Sequence, residues 1–132
     1  MKNTSLIFAL VSIIAAALLQ QVSAESALSN LPTAEQRGQE LYARRCAACH
    51  SIDYNGIGPA HKSVFSSTAG NVKNYNYSAA LKSSKLVWTA SNLDKWLADP
   101  EQLVPGQKMG FSVPDANERA DLIAYLKSQS SK

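Results

Sequence analysis

The chain has 132 residues, with 13 basic and 10 acidic side chains and a net charge of +3. That length suits one domain and not two. The charge is too mild to suggest a nucleic-acid binder. Both cysteines of the chain stand close together, at positions 46 and 49.

The first element is a leader. Lys2 precedes an apolar run from Leu6 to Leu19, ended by Gln20-Gln21. A membrane-spanning helix needs about 20 residues, so the run is short. Val22-Ser23-Ala24 then offers the small residues that a signal peptidase reads. The pattern predicts a signal peptide over residues 1–24, cleavage after Ala24, and delivery to the periplasm. The alternative is an uncleaved segment that anchors the protein in the membrane. No Cys follows the run directly, which argues against a lipid anchor there.

Residues 25–132 form the expected single domain. Thr33-Ala-Glu-Gln36 has the form of a capping box. Gly38, Leu41, Tyr42, Cys46 and Cys49 follow at helical spacing. A helix over roughly 34–48 would therefore carry both cysteines inward. Gly38 in mid-helix costs about 0.5–1 kcal/mol relative to Ala. Close approach of another helix, bearing Leu122 and Tyr125, is a reason to accept that cost.

Residues 51–76 are rich in Ser, Asn and Gly, with Pro59 among them, and show no sustained period. Such a long irregular stretch is uncommon unless it covers something. A short helix is expected near 78–84. Thr89 or Ser91 can cap the next, with Leu93, Trp96 and Leu97 inward and Pro100 ending it. Residues 101–114 read as irregular. Asp115 then caps a last helix, with Arg119, Leu122, Ile123 and Leu126 on one side and Tyr125 beside them. The fold class predicted is all-α: three main helices, a short helix and long loops.

An exported thiol pair normally becomes a disulfide. A bridge from Cys46 to Cys49 would close almost no loop, and the stabilisation from closure grows with loop length. A thioredoxin-like dithiol needs a βαβ setting, which this pattern lacks. A zinc site needs four ligands, and beyond the cysteines only His50 and His61 offer imidazoles. Cys46-Ala-Ala-Cys49-His50 fits another chemistry directly. Two cysteines at this spacing form thioethers to the two vinyl groups of a haem, and the next His ligates the iron. One covalent haem c is therefore the expected cofactor, attached through Cys46 and Cys49 with His50 on the metal.

The sixth iron position needs a Met or a second His. His61 follows His50 by too short a loop to reach the other face without strain. Met109 is the Met outside the leader, in the Pro/Gly-framed segment Pro105-Gly-Gln-Lys-Met-Gly110. It is the preferred metal ligand opposite His50. Met/His ligation raises the reduction potential and fills both axial positions.

With these residues assembled, the chain resembles the class I cytochromes c, the family of mitochondrial cytochrome c and its bacterial soluble relatives. The likeness runs from about Gly38 to Leu126. It rests on the Gly38/Tyr42 helix face, Cys46-Ala-Ala-Cys-His50, Gly58-Pro59, Trp88, Leu97-Ala-Asp-Pro100, Val104-Pro-Gly-Gln-Lys-Met109 and Asp121-Leu-Ile-Ala-Tyr-Leu126. The resemblance implies the cytochrome c fold around one haem. It implies that Pro59 accepts a hydrogen bond from the free ring nitrogen of His50, a bond that orients a ligating ring. It implies that Tyr77 and Trp88 bind a haem propionate and that Phe111 lies near the exposed haem edge.

Several positions depart from the family pattern. Trp96 stands where a Tyr usually lies near the Met sulfur, and Gln107 where a Thr is frequent. Ser67 takes the place of a propionate-binding Arg. Glu101-Gln102 replaces two lysines of the basic ring that steers acidic partners. Arg45, Lys62 and Lys108 keep a weaker basic face.

The expected function is a monomeric, non-enzymatic one-electron carrier serving membrane or periplasmic redox proteins. A dedicated haem subunit of an oxidoreductase complex is the alternative, and a large apolar surface patch would favour it. A haem peroxidase or gas sensor is a third reading, for which the sequence offers no distal acid–base residue.

Overall fold

The computed structural model describes residues 31–131; the leader expected over 1–24 lies outside the described residues. Among the described residues five helices account for the regular structure: α1 Ala34–Arg45, α2 Ala79–Ser83, α3 Ala90–Ala98, α4 Pro100–Leu103 and α5 Ala116–Gln129. The described residues hold no named strand. An isolated antiparallel bridge joins Thr68 to Val87. No described helix is long and apolar enough to cross a membrane.

Each helix starts where a short polar side chain satisfies its free amides. Thr33 Oγ1 accepts from Gln36 N at 3.2 Å, and Gln36 Oε1 accepts from Thr33 N at 2.8 Å, completing the capping box. Ser78 caps α2 and Thr89 caps α3. Asp115 Oδ1 accepts from Asn117 N and Glu118 N at the head of α5.

Two boundaries differ from the sequence reading. α1 ends at Arg45, with Cys46 as its C-cap, so Cys49 lies in the following turn and not on the helix. The turn is made by Cys49 N and His50 N, both donating to Cys46 O at 3.0 and 2.9 Å. Pro100 ends α3 and also begins α4, within a stretch expected to be irregular. Asp99 closes the first helix and caps the second, its Oδ1 accepting from Gln102 N at 3.0 Å. Pro at the first helical position has no N–H to leave unsatisfied.

The frame is the crossing of α1 and α5. A Cβ on Gly38 would lie 2.0 Å from Asp121 O and 2.8 Å from Tyr125 Cβ. Only a glycine admits this approach. Two ion pairs tie the same helices together. Arg37 grips Asp121 with two bonds of 2.8 and 2.7 Å, and Arg45 Nη2 lies 2.8 Å from Glu118 Oε2. Leu41, Tyr42, Leu122, Tyr125 and Leu126 are buried with Leu93, Trp96 and Leu97 of α3.

Arg119 sits on the inward side of α5 with only 12% of its side chain exposed. Its Nε donates to Asp94 Oδ1 at 2.7 Å, and its Nη1 to Val113 O and Pro114 O at 3.0 and 2.7 Å. It thereby joins α5, α3 and the segment before α5. Val113, which is fully buried, donates its N–H to Leu97 O at 2.7 Å. This pins the end of the loop that carries Met109.

Candidate functional site

The loops after α1 and after α4 face each other across a cavity of about 350 Å³. Its walls are mostly apolar: Val64, Leu81, Trp88, Leu93, Trp96, Leu97, Leu122 and Leu126 line it. Cys46, Cys49, His50, Pro59, Tyr77, Trp88 and Met109 all line the same space. The structure thus brings together the seven cofactor-site residues that the sequence singled out, from four separate stretches of chain.

The first loop is folded tightly onto the Cys-His turn. Gly58 N donates to Cys49 O at 2.7 Å, His61 N to Ser51 O at 2.9 Å and Lys62 N to Ile52 O at 2.8 Å. Asn55 fastens it further: its Oδ1 accepts from Ala60 N at 2.9 Å and its Nδ2 donates to Lys73 O at 3.0 Å. These bonds set the Pro59 carbonyl 2.8 Å from His50 Nδ1. A carbonyl only accepts, so Nδ1 carries the hydrogen and the lone pair sits on Nε2, free for a metal.

Burial lowers the His50 pKa, opposed by the bond to Pro59. The neutral ring is the form that binds a metal. Gly58 packs flat against this ring: a Cβ there would lie 2.2 Å from His50 Cε1.

His61 has a place that spacing did not reveal. Its ring stacks on His50, with centroids 4.1 Å apart and planes 20° from parallel. Two rings stacked face to face cannot ligate one metal from opposite sides. Nor do they converge as a zinc site requires. Burial, then the His50 ring, pushes the His61 pKa down to about 3. Tyr42 meets its edge at 5.7 Å. His61 therefore buttresses the back of His50 as a neutral imidazole. No periodicity marks it, because the contact comes from the loop folding back.

Cys46 is half-buried and Cys49 exposed, and no disulfide joins them. Burial pushes the Cys46 thiol up to about 11, with Arg45 opposing. A dithiol redox site needs the opposite shift, toward the thiolate. Trp88 is buried and meets Trp96 edge-on at 5.1 Å. It is held by main-chain bonds: Trp88 N donates to Ser67 O and Ser66 N to Trp88 O, each at 2.9 Å. Ser67 also lines the cavity, its hydroxyl donating to Val64 O at 2.7 Å. Tyr77 is half-buried and meets Tyr75 edge-on at 4.8 Å.

The cavity suits a flat apolar group with a metal at its centre. The donor set is an imidazole nitrogen with its proton on the far side, a thioether sulfur, and two thiols beside the imidazole. Those are the ligand and attachment chemistries of a c-type haem.

The comparisons with known proteins agree. The family model described as "Cytochrome c" matches residues 35–130. The chain belongs to the cytochrome c family.

Among its relatives, cytochrome c 2.1 of Caenorhabditis elegans is 38% identical over 109 residues, covering 80% of this chain and 98% of the relative. Cytochrome c2 of Rhodomicrobium vannielii is 35% identical over 123 residues, covering 90% and 94%. Among solved structures, cytochrome cH from Methylobacterium extorquens matches with a TM-score of 0.68 at 43% identity, covering 71% of this chain and 97% of that one. Ferricytochrome c2 from Rhodopseudomonas palustris matches at 0.67 and 31%, covering 73% and 98%.

This is a class I cytochrome c with the all-α cytochrome c fold. Its cofactor is one covalent haem c, and Cys46 and Cys49 have the spacing that attachment requires. An electron carrier is what such a chain is built to be.

Proposed function

We propose that this cytochrome c is a periplasmic one-electron carrier whose haem iron is ligated by His50 and Met109. The observation that carries the reading is the His50–Pro59 bond, with Nε2 free, across one cavity from Met109. When bound, the haem supplies reversible one-electron chemistry between ferric and ferrous iron.

The chain's own residues do the rest. Pro59 orients His50 and strengthens it as a donor. His61 stacks on the ring and Gly58 packs closely against it, which together fix its position. The apolar walls exclude water, which favours the less charged, reduced centre, and the Met109 thioether acts in the same sense. Tyr77 and Trp88, which line the cavity, would supply hydrogen bonds to a haem propionate. With His50 and Met109 both holding the iron, no coordination place would be left for a substrate, so the reading is of a carrier and not an enzyme. His61, the second imidazole, stacks behind His50 and is not a distal acid–base group.

The partners are other redox proteins, met at the mouth of the cavity. Ile57 is 77% exposed there and Phe111 42%. Two such side chains suit a transient contact and fall short of the extended apolar patch of a permanent subunit. Delivery to the periplasm rests on the leader at residues 1–24 with cleavage near Ala24. A ferrous spectrum of a haem that resists acid-acetone extraction tests the attachment. Free extraction would refute the thioethers.

A further inference from the structure

The segment carrying Met109 is built in a way the family pattern does not foretell. Gln107 N donates to Val104 O at 3.2 Å, closing a turn over Pro105 and Gly106. Gly106 has φ of 85°. Pro at the second position and a positive φ at the third make this a type II turn. One carboxylate clamps it from outside. Glu101 Oε1 accepts from Gly106 N at 2.8 Å, and its Oε2 accepts from Gln107 Nε2 at 3.2 Å. The Gln107 amide is thereby oriented, and its Oε1 accepts from Met109 N. A chain of bonds thus runs from α4 to the backbone of the ligand itself.

Glu101 and Gln107 stand where the class I resemblance implies a Lys and a Thr. They depart together, and each needs the other. A Lys at 101 has no acceptor for Gly106 N. A Thr at 107 is too short to meet the 101 carboxylate and Met109 N at once.

We infer that Glu101 and Gln107 form a clamp that positions Met109 and sets how readily it leaves the iron. The inference rests on Met109 being the ligand. On this inference the clamp bonds hold together only with Met109 seated, because the last of them ends on the Met109 backbone. Losing them costs the Met-bound state and leaves a state with another ligand in its place unaffected. An exogenous ligand that displaces Met109 therefore reports the clamp directly.

The test is imidazole titration of the ferric holoprotein, followed in the visible spectrum, for wild type, Glu101→Ala, Gln107→Ala, Glu101→Gln and Met109→Ala. Each Ala variant should bind imidazole roughly three- to tenfold more tightly than wild type, the range for losing a net hydrogen bond. Glu101→Gln keeps an acceptor for Gly106 N and should fall between. A double variant carrying Glu101→Ala and Gln107→Ala, titrated alongside, should gain less than the product of the singles, because the residues act in series. A merely structural role would lower the unfolding midpoint and leave imidazole affinity unmoved. Unchanged affinity in both Ala variants, with Met109→Ala binding more tightly, would overturn the clamp alone. Equal affinity of Met109→Ala and wild type would overturn the ligand assignment and the clamp with it.

Discussion

Gly58 lies against the His50 imidazole so closely that a Cβ would sit 2.2 Å from Cε1 and 2.5 Å from Nδ1. The same loop delivers the Pro59 carbonyl to that nitrogen. One dipeptide therefore sets both the distance and the tilt of the ring. Gly58→Ala should force the ring or the loop to move, at a cost of about 1–3 kcal/mol for overpacking. Denaturant unfolding of the holoprotein checks this. A midpoint equal to wild type would show that the ring has room the geometry does not give it.

Gly38→Ala sets two effects of opposite sign against each other. Ala gains about 1 kcal/mol of helix propensity. Its methyl meets the Asp121 carbonyl oxygen at 2.0 Å, which is backbone and cannot swing aside. The clash should win, because separating α1 from α5 also stretches Arg37–Asp121 and Arg45–Glu118. A net loss of about 1–3 kcal/mol is expected. A more stable Gly38→Ala protein would contradict the close crossing.

Arg119 connects three parts of the fold through one guanidinium. Arg119→Leu keeps bulk and removes the donors to Asp94, Val113 O and Pro114 O. The Asp94 carboxylate is half in water and loses little. The carbonyls, left with fewer partners, should make the loss about 1–3 kcal/mol. Hydrogen exchange should rise at Val113, whose N–H bonds to Leu97 O. Unchanged exchange there would show that Arg119 does not hold that segment.

Two of the three cations of the expected basic face, Arg45 and Lys62, are paired with acids of the chain. Arg45 pairs with Glu118 at 2.8 Å and Lys62 with Asp53 at 3.4 Å. Lys108 donates to Asn76 O at 3.4 Å. Glu101 adds a negative charge where a basic ring would have a positive one. Electron-transfer rates with an acidic partner should therefore fall only modestly as ionic strength rises. Stopped-flow kinetics across a salt series measure this. A steep decline would mean that a basic field steers docking after all.

Much of this was legible in the sequence because local rules carried it. Thr33, Thr89 and Asp115 cap helices as their residue types suggest. Gly38 marked the crossing because a mid-helix glycine needs a reason. Cys46, Cys49 and His50 are adjacent in the chain, so their motif survives without a fold. What stayed hidden depends on distant or folded-back segments. His61 stacks on His50 only after residues 51–62 turn back on themselves. The Glu101–Gln107 clamp needs α4, which the pattern concealed because Pro100 reads as a stop and serves also as a start. Arg119 was placed on the inner face by its spacing, and its three partners became visible only in the fold.

The central claim is that His50 and Met109 hold the iron of a one-electron carrier. Potentiometric titration of the mature holoprotein with optical detection tests it most directly, run on wild type and Met109→Ala. Wild type should give a single one-electron wave with a low-spin spectrum. Met109→Ala should give a high-spin ferric spectrum and a markedly lower midpoint. A Met109→Ala protein with the spectrum and midpoint of wild type would contradict the account.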